Sequence, residues 1–171
     1  MRLNNIYTKY GITLIPLSRE YLDLIRFWRT SGKIDQFIST NGYLSKEEQI
    51  EWFKKVDNNE NLYFIISVKN DKIGLIQANN IYGECKTGFY IYEEKYLNSI
   101  YSYKVVTLFH EILFEELKLE KIYCSILDSN KRAIKFNKSL GFKLEIENTY
   151  CLEKEVFYEK FKSYEQVIKN Y

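Results

Sequence analysis

The stretch Glu84–Phe142, ECKTGFYIYEEKYLNSIYSYKVVTLFHEILFEELKLEKIYCSILDSNKRAIKFNKSLGF, decides the fold. Its apolar, aromatic run Gly88 to Tyr92 suits a strand buried on both faces. From Tyr103 to Leu117 the residues Val105, Val106, Leu108, Phe109, Ile112, Leu113 and Leu117 recur at helical spacing. Ile122 to Leu127 is a second short apolar run, and a crossover helix between two strands makes them parallel neighbours. Asp128-Ser129-Asn130 offers capping side chains to a helix over Lys131 to Leu140, which Gly141 ends. Strand, helix, strand and helix in this order predict an α/β chain with a mixed sheet.

Upstream, Leu62 to Lys69 and Lys72 to Asn80 read as strands joined at Asn70-Asp71, with Gly74 marking a bulge or a close approach. Glu84 to Tyr92 is then the third strand of a meander. Thr13 to Leu17 is a short strand, followed by a helix that Ser18 caps and that turns Tyr21, Leu24, Ile25 and Trp28 inward. A loop from Thr30 to Tyr43 is long enough to border a site, and Ser45-Lys46-Glu47-Glu48 is a capping box opening a helix. Downstream, Leu144 to Cys151 and Glu155 to Phe161 read as a final hairpin, with a short helix from Ser163 to Tyr171. No repeat or linker divides the chain, so residues 1–171 read as one domain.

The composition excludes several function classes. With 25 basic and 23 acidic residues the net charge is +2, which makes no electrostatic case for a nucleic-acid or membrane partner. No apolar run approaches the roughly 18 residues that span a bilayer. The N-terminus has no apolar signal core, so the chain reads as cytoplasmic. Three cysteines, Cys85, Cys124 and Cys151, form no metal or redox pair, and one histidine, His110, builds no metal cluster. The 16 Tyr and 11 Phe are many, but richness in Ile, Lys and Asn points to base bias as one source.

The element order, with the tail A-I-K-F-N-K-S-L-G-F, resembles the acetyl-CoA-binding half of the GNAT N-acetyltransferases. Asn130, Ala133, Ile134, Leu140, Gly141 and Phe142 match the family's tail motif. The resemblance implies a mixed central sheet whose parallel strands splay apart, flanked by helices. It implies acetyl-CoA as co-substrate, a small amine as acceptor and no metal, and it is compatible with a homo-oligomer. Pantetheine would bond the backbone of Phe89, Tyr90, Ile91 and Tyr92, with Asn130, Ala133 and Asn137 on the facing helix. The pyrophosphate loop would be Asn98, Ser99, Ile100, Tyr101, Ser102, Tyr103 and Lys104.

Two positions depart from the family pattern. The loop Tyr96 to Tyr103 has no glycine, where the family places a Gln or Arg and then two glycines. Asn137 occupies the slot, four residues before Gly141, where many members carry a tyrosine that protonates the leaving thiolate. An amide donates a hydrogen bond but yields no proton, so Tyr123 or Tyr150 is the alternative donor. Glu84, Glu93 and Glu94 flank the central strand as candidate bases for the acceptor amine, directly or through water.

The segment from Leu24 to Phe53 is similar to the branch that acetylates nucleotide-linked amino sugars in pseudaminic acid synthesis. Trp28, Arg29, Phe37, Trp52 and Phe53 carry that likeness. It implies that Arg29 meets a diphosphate and that Phe37 or Tyr43 stacks on a base beside Trp52. Ribosomal-protein N-terminal acetyltransferases share the same layout, so a protein N-terminus is a rival acceptor. A catalytically silent relative that binds a sugar nucleotide or a protein partner is the reading from another class.

Overall fold

A meander of antiparallel strands joined edge to edge with one parallel pair sets the plan of the molecule. The computed structural model describes residues 4–34, 44–97 and 99–170. In chain order the elements are β1 (Tyr7–Lys9), β2 (Ile12–Pro16), α1 (Leu22–Thr30), α2 (Lys46–Val56), β3 (Leu62–Val68), β4 (Asp71–Asn79) and β5 (Glu84–Ile91). There follow α3 (Ile100–Glu111), β6 (Lys121–Ser125), α4 (Lys131–Ser139), β7 (Lys143–Ile146), β8 (Thr149–Glu153) and α5 (Lys154–Asn170). The strands form one sheet in the order β1-β2-β3-β4-β5-β6-β8-β7. Among the described residues β5 and β6 are its one parallel pair.

Two cores lie on opposite faces of that sheet. α1 and α2 cover one face with Ile25, Trp28 and Phe53 against Ile65 and Leu75. α3, α4 and α5 contribute to the other, where Phe109, Leu140 and Phe157 meet Phe64, Ile76 and Ile122. His110 sits in this second core against Phe114, Phe142 and Phe157, and burial pulls its pKa down to about 3. α2 opens with the expected capping box, Ser45 accepting from Glu48 N while Glu48 accepts from Ser45 N.

The meander turns at Lys69-Asn70, one residue earlier than expected, and both residues take positive φ. Gly74 is both a bulge neighbour and a close approach. Ile66 pairs with Gly74 and Ser67 with Lys72, which leaves Ile73 as the extra residue. A Cβ on Gly74 would stand 2.1 Å from the carbonyl oxygen of Tyr90, a backbone atom. Gly74→Ala therefore pushes β5 away from β4. The expected cost is about 1–3 kcal/mol of stability, read by denaturant unfolding. An unchanged midpoint would show that the strands yield at no cost.

The parallel ladder is short. Glu84, Cys85 and Lys86 pair with Lys121, Ile122 and Tyr123, and Thr87 Oγ1 donates to Tyr123 O at 3.1 Å. Beyond Thr87 the strands part, and the β6-facing edge of β5 from Gly88 to Ile91 has no ladder partner. α3 begins at Ile100 and its last turn widens into a π-helix, Ile112–Glu116, before β6.

Three expectations are corrected at the ends of the chain. The run Leu144 to Cys151 is not one strand: β7 and β8 form a hairpin across it, turning at Glu147-Asn148, and Glu147 takes positive φ. Glu155 to Phe161 is not a strand but the first half of α5. Phe157, Phe161, Tyr164 and Ile168 recur at three to four residues and face the core, a helical period that extends past the apparent strand. β1 was not expected. It pairs antiparallel with β2 and is tied further to α3, with Lys9 Nζ on Glu111 Oε2 at 2.9 Å and Tyr10, in the turn that follows, donating to Glu111 at 2.9 Å. No helix among the described residues is long and apolar enough to cross a membrane.

Candidate functional site

The splay opens a continuous groove of about 1820 Å³ that passes from the N-terminus of α3, through the gap between β5 and β6, to α1 and α2. β5 is its floor. Strand alternation sends Phe89 toward α3 and α4, and sends Tyr90 and Tyr92 toward α1 and α2.

The half under α3 and α4 suits a nucleotide thioester. Ser99 caps α3, accepting from Tyr101 N at 3.3 Å and donating to Tyr96 O at 2.5 Å. The first-turn amides of Ile100 and Ser102 have no intrahelical acceptor by helix geometry, and both residues line the groove. Lys131, Arg132 and Lys135 of α4 line the same half, and the first turn of α4 carries no acidic residue. Cations at a helix N-terminus oppose the dipole unless an anion sits there. That pattern, K-R directly after the capping Asn130, was the unread signal in the sequence. The groove wall is an aromatic row, Phe89 to Phe136 at 5.8 Å and Phe136 to Tyr103 at 5.0 Å between ring centroids. Tyr103 also bonds Ser139 at 2.9 Å, tying α3 to α4. Asn130 Oδ1 accepts from Ala133 N at 3.1 Å, which leaves its amide donor for a ligand.

Of the residues expected to hold the cofactor, Phe89, Tyr90, Ile91, Tyr92, Ser99, Ile100, Ser102, Tyr103, Asn130, Ala133 and Asn137 all line the groove. Tyr101 and Lys104 do not. Tyr101 packs edge-on against Tyr96 at 5.0 Å, and Lys104 lies over the Tyr101 ring at 5.5 Å with its pKa lowered by burial. Their side chains point away because they fall on the sheet-facing stripe of α3. Asn98 lies outside the described residues.

The half under α1 and α2 is cationic and aromatic. Arg29 stands over the Trp52 ring at 5.8 Å, and Trp52 meets Tyr63 edge-on at 5.2 Å. Burial raises the Tyr63 pKa, while a hydrogen bond to Asn79 and the Arg29 charge lower it. Lys33 lies over Tyr92 at 4.9 Å and pairs with Glu94 at 3.0 Å. Arg29 and Trp52 are thus brought together as expected, with Tyr63 and Tyr90 beside them. The expected base-stacking residues Phe37 and Tyr43 lie outside the described residues.

The expected acid–base residues are scattered. Asn137 lines the groove but turns back on its own helix: Nδ2 donates to Ala133 O at 2.9 Å and Oδ1 accepts from the Cys124 thiol at 3.7 Å. Burial pushes that thiol up to about 12. Tyr123, Tyr150 and Glu84 are not in the groove lining. Tyr123 faces its β8 neighbour Cys151, and burial, with Cys151, Glu84 and Glu145 nearby, lifts it to about 12. Tyr150 is buried in the core. Glu84 is exposed at the start of β5, before the splay, and Glu93 is also outside the lining; Glu94 is the one carboxylate among the described lining residues. Cys85, Cys124 and Cys151 are all free thiols. No group of three or more His, Cys, Asp or Glu among the described residues could hold a metal ion.

Comparison with known proteins agrees with this geometry. The model of the acetyltransferase (GNAT) domain matches residues 12–143. Acetyltransferase PseH of Campylobacter jejuni is 26% identical over 129 residues, covering 74% of this chain and 79% of the relative. The crystal structure of the Campylobacter jejuni N-acetyltransferase PseH with acetyl coenzyme A superposes with a TM-score of 0.65 at 23% identity, over 84% of this chain and 99% of that one. Spermidine N-acetyltransferase from Vibrio cholerae, with CoA and spermine, gives a TM-score of 0.76 at 18% identity, over 88% and 99%. A splayed parallel pair, an anion-ready α3 terminus and a matching family model over most of the chain lead to one conclusion: this protein belongs to the GNAT acetyltransferase family, and is an N-acetyltransferase that uses acetyl-CoA.

Proposed function

We propose that the acceptor is a nucleotide-linked amino sugar. The observation that carries this reading is the charge of the groove. Among the described residues Arg29, Lys33, Lys86, Lys131, Arg132 and Lys135 line it against Glu94, and Glu94 is paired with Lys33. The cations on α4 suit the phosphates of CoA. Arg29, over Trp52 in the other half, suits a second anionic group, and Trp52 and Tyr63 offer aromatic walls to a base. A polyamine would bring several positive charges into a cationic half-groove, which costs binding. The likeness of Leu24 to Phe53 to the amino-sugar branch supports the same class.

In the reaction the acceptor nitrogen attacks the thioester carbonyl carbon, the new C–N bond replaces C–S, and one proton leaves nitrogen while one reaches sulfur. Phe89 to Ile91 would present the unpaired strand edge to the pantetheine, and Asn130 a side-chain amide. The test is thiol release with a panel of nucleotide-linked amino sugars, spermine and peptides with free N-termini. A nucleotide-linked sugar should lead in kcat/KM by about tenfold or more, the worth of one charge-assisted contact. Preference for spermine or for a peptide would sink the assignment.

A further inference from the structure

We propose that Tyr90 determines acceptor specificity by donating its phenolic hydrogen to an acceptor oxygen. The inference rests on the reading that the α1/α2 half of the groove holds the acceptor, and requires of that acceptor only that it carry an oxygen.

Tyr90 pairs with Leu75 in the sheet and turns toward α1 and α2. Its ring is held edge-on against Trp28, centroids 6.1 Å apart at 89°, and Trp28 in turn stacks on Tyr92 at 5.7 Å. Tyr90 lines the groove, and its hydroxyl oxygen is buried with no hydrogen-bond partner among the described residues. A phenol in that state loses its water without compensation, a cost that native structures rarely keep without a use. His110 is the other groove-lining residue with an unpartnered buried atom, but three phenylalanines enclose it. Tyr90 instead sits where an acceptor would reach the splay.

The chemistry of the missing partner follows from two charges. Burial raises the phenol's pKa, and the Arg29 cation lowers it by less, so the group stays protonated at any working pH. A protonated phenol beside a guanidinium calls for an oxygen as acceptor. An ammonium could only donate to the phenolic oxygen, leaving its hydrogen unused and setting a second cation beside Arg29, and a methylene would pair with neither atom. A site built around such a donor rejects ligands that lack the matching oxygen.

The test is Tyr90→Phe, which keeps the ring and deletes the hydroxyl. Three quantities are read: the melting temperature of the ligand-free protein, the affinity for acetyl-CoA by calorimetry, and kcat/KM over the same acceptor panel. Melting should rise, because an unpaired buried group is gone. Acetyl-CoA affinity should hold. The ratio of kcat/KM for the preferred oxygen-bearing acceptor to that for spermine should fall about 10- to 100-fold, mostly through KM. A lower melting temperature would mean that the hydroxyl has a partner in the free protein, and would overturn the inference. So would an unchanged ratio, weakened acetyl-CoA binding, or a wild-type preference for spermine. If wild type prefers a peptide, the sugar assignment falls while Tyr90 is still judged, on the peptide, by the same ratio.

Discussion

Asn137→Tyr should raise turnover at least tenfold, most visibly near neutral pH. Position 137 lies on α4 in the groove lining, where many members of the family present a phenol to the thioester sulfur. The asparagine gives one amide hydrogen to Ala133 O and takes the Cys124 thiol on its oxygen, and an amide is no acid, so it yields no proton to a leaving thiolate. The alternatives are poorly placed. Tyr123 and Tyr150 are outside the groove, and the Cys124 thiol, though within it, is held at about 12 by burial. General acid assistance is typically worth about 10² to 10⁴ in rate, so even partial restoration is measurable. Asn137→Phe controls for size and for loss of the two asparagine bonds. A rise in Tyr but not in Phe would identify the slot as an emptied donor position. Equal rates in all three proteins would place the proton source elsewhere, in solvent or in another groove phenol such as Tyr103.

The strands β5 and β6 and the two helices around them were legible because each rested on a local signal, whereas the splay between the strands followed only from the family resemblance. The apolar run at Phe89–Tyr92, the caps at Ser45 and Asn130, and the stop at Gly141 are short-range features that tertiary packing did not override. The errors came where local signals were ambiguous. Val156, Phe157 and Phe161 alone look like a strand, and only their continuation through Tyr164 to Ile168 reveals the period of α5. β1 is three residues long and mostly exposed, and its one local mark is the two-residue turn at Tyr10-Gly11, both at positive φ, that leads back into β2. The site divides in the same way. Groove residues on β5 and α4 follow from alternation and from the tail motif. The rotation of α3 decided that Ser102 and Tyr103 face the groove while Tyr101 and Lys104 do not. The Tyr63 and Tyr90 pair was hidden because strand aromatics are ordinary core, and only the unpartnered hydroxyl sets Tyr90 apart.

Arg29→Met should raise the acceptor KM about 10- to 100-fold while leaving the affinity for acetyl-CoA unchanged. The substitution removes the charge and keeps a long apolar side chain against Trp52, over which the guanidinium lies. A hydrogen bond to a charged group is worth about 1.5–3 kcal/mol, which sets the range. The separation of the two effects follows from position. Arg29 ends α1 on one side of the sheet, whereas Lys131, Arg132 and Lys135 stand on α4 across the splay. Arg29→Lys should fall between the two, because an ammonium keeps the charge but loses the planar fork that a diphosphate engages. Added salt should raise the wild-type KM and affect the Met variant less, since screening acts only on a charge that is present. Steady-state kinetics with the preferred acceptor, in low and high salt, and calorimetry with acetyl-CoA read both sides. An unchanged KM in Arg29→Met would remove the anionic subsite, and with it the main reason to choose a nucleotide-linked sugar over a neutral amine. A parallel loss of acetyl-CoA affinity would show instead that the two halves of the groove are coupled across β5, through the strand that both ligands share.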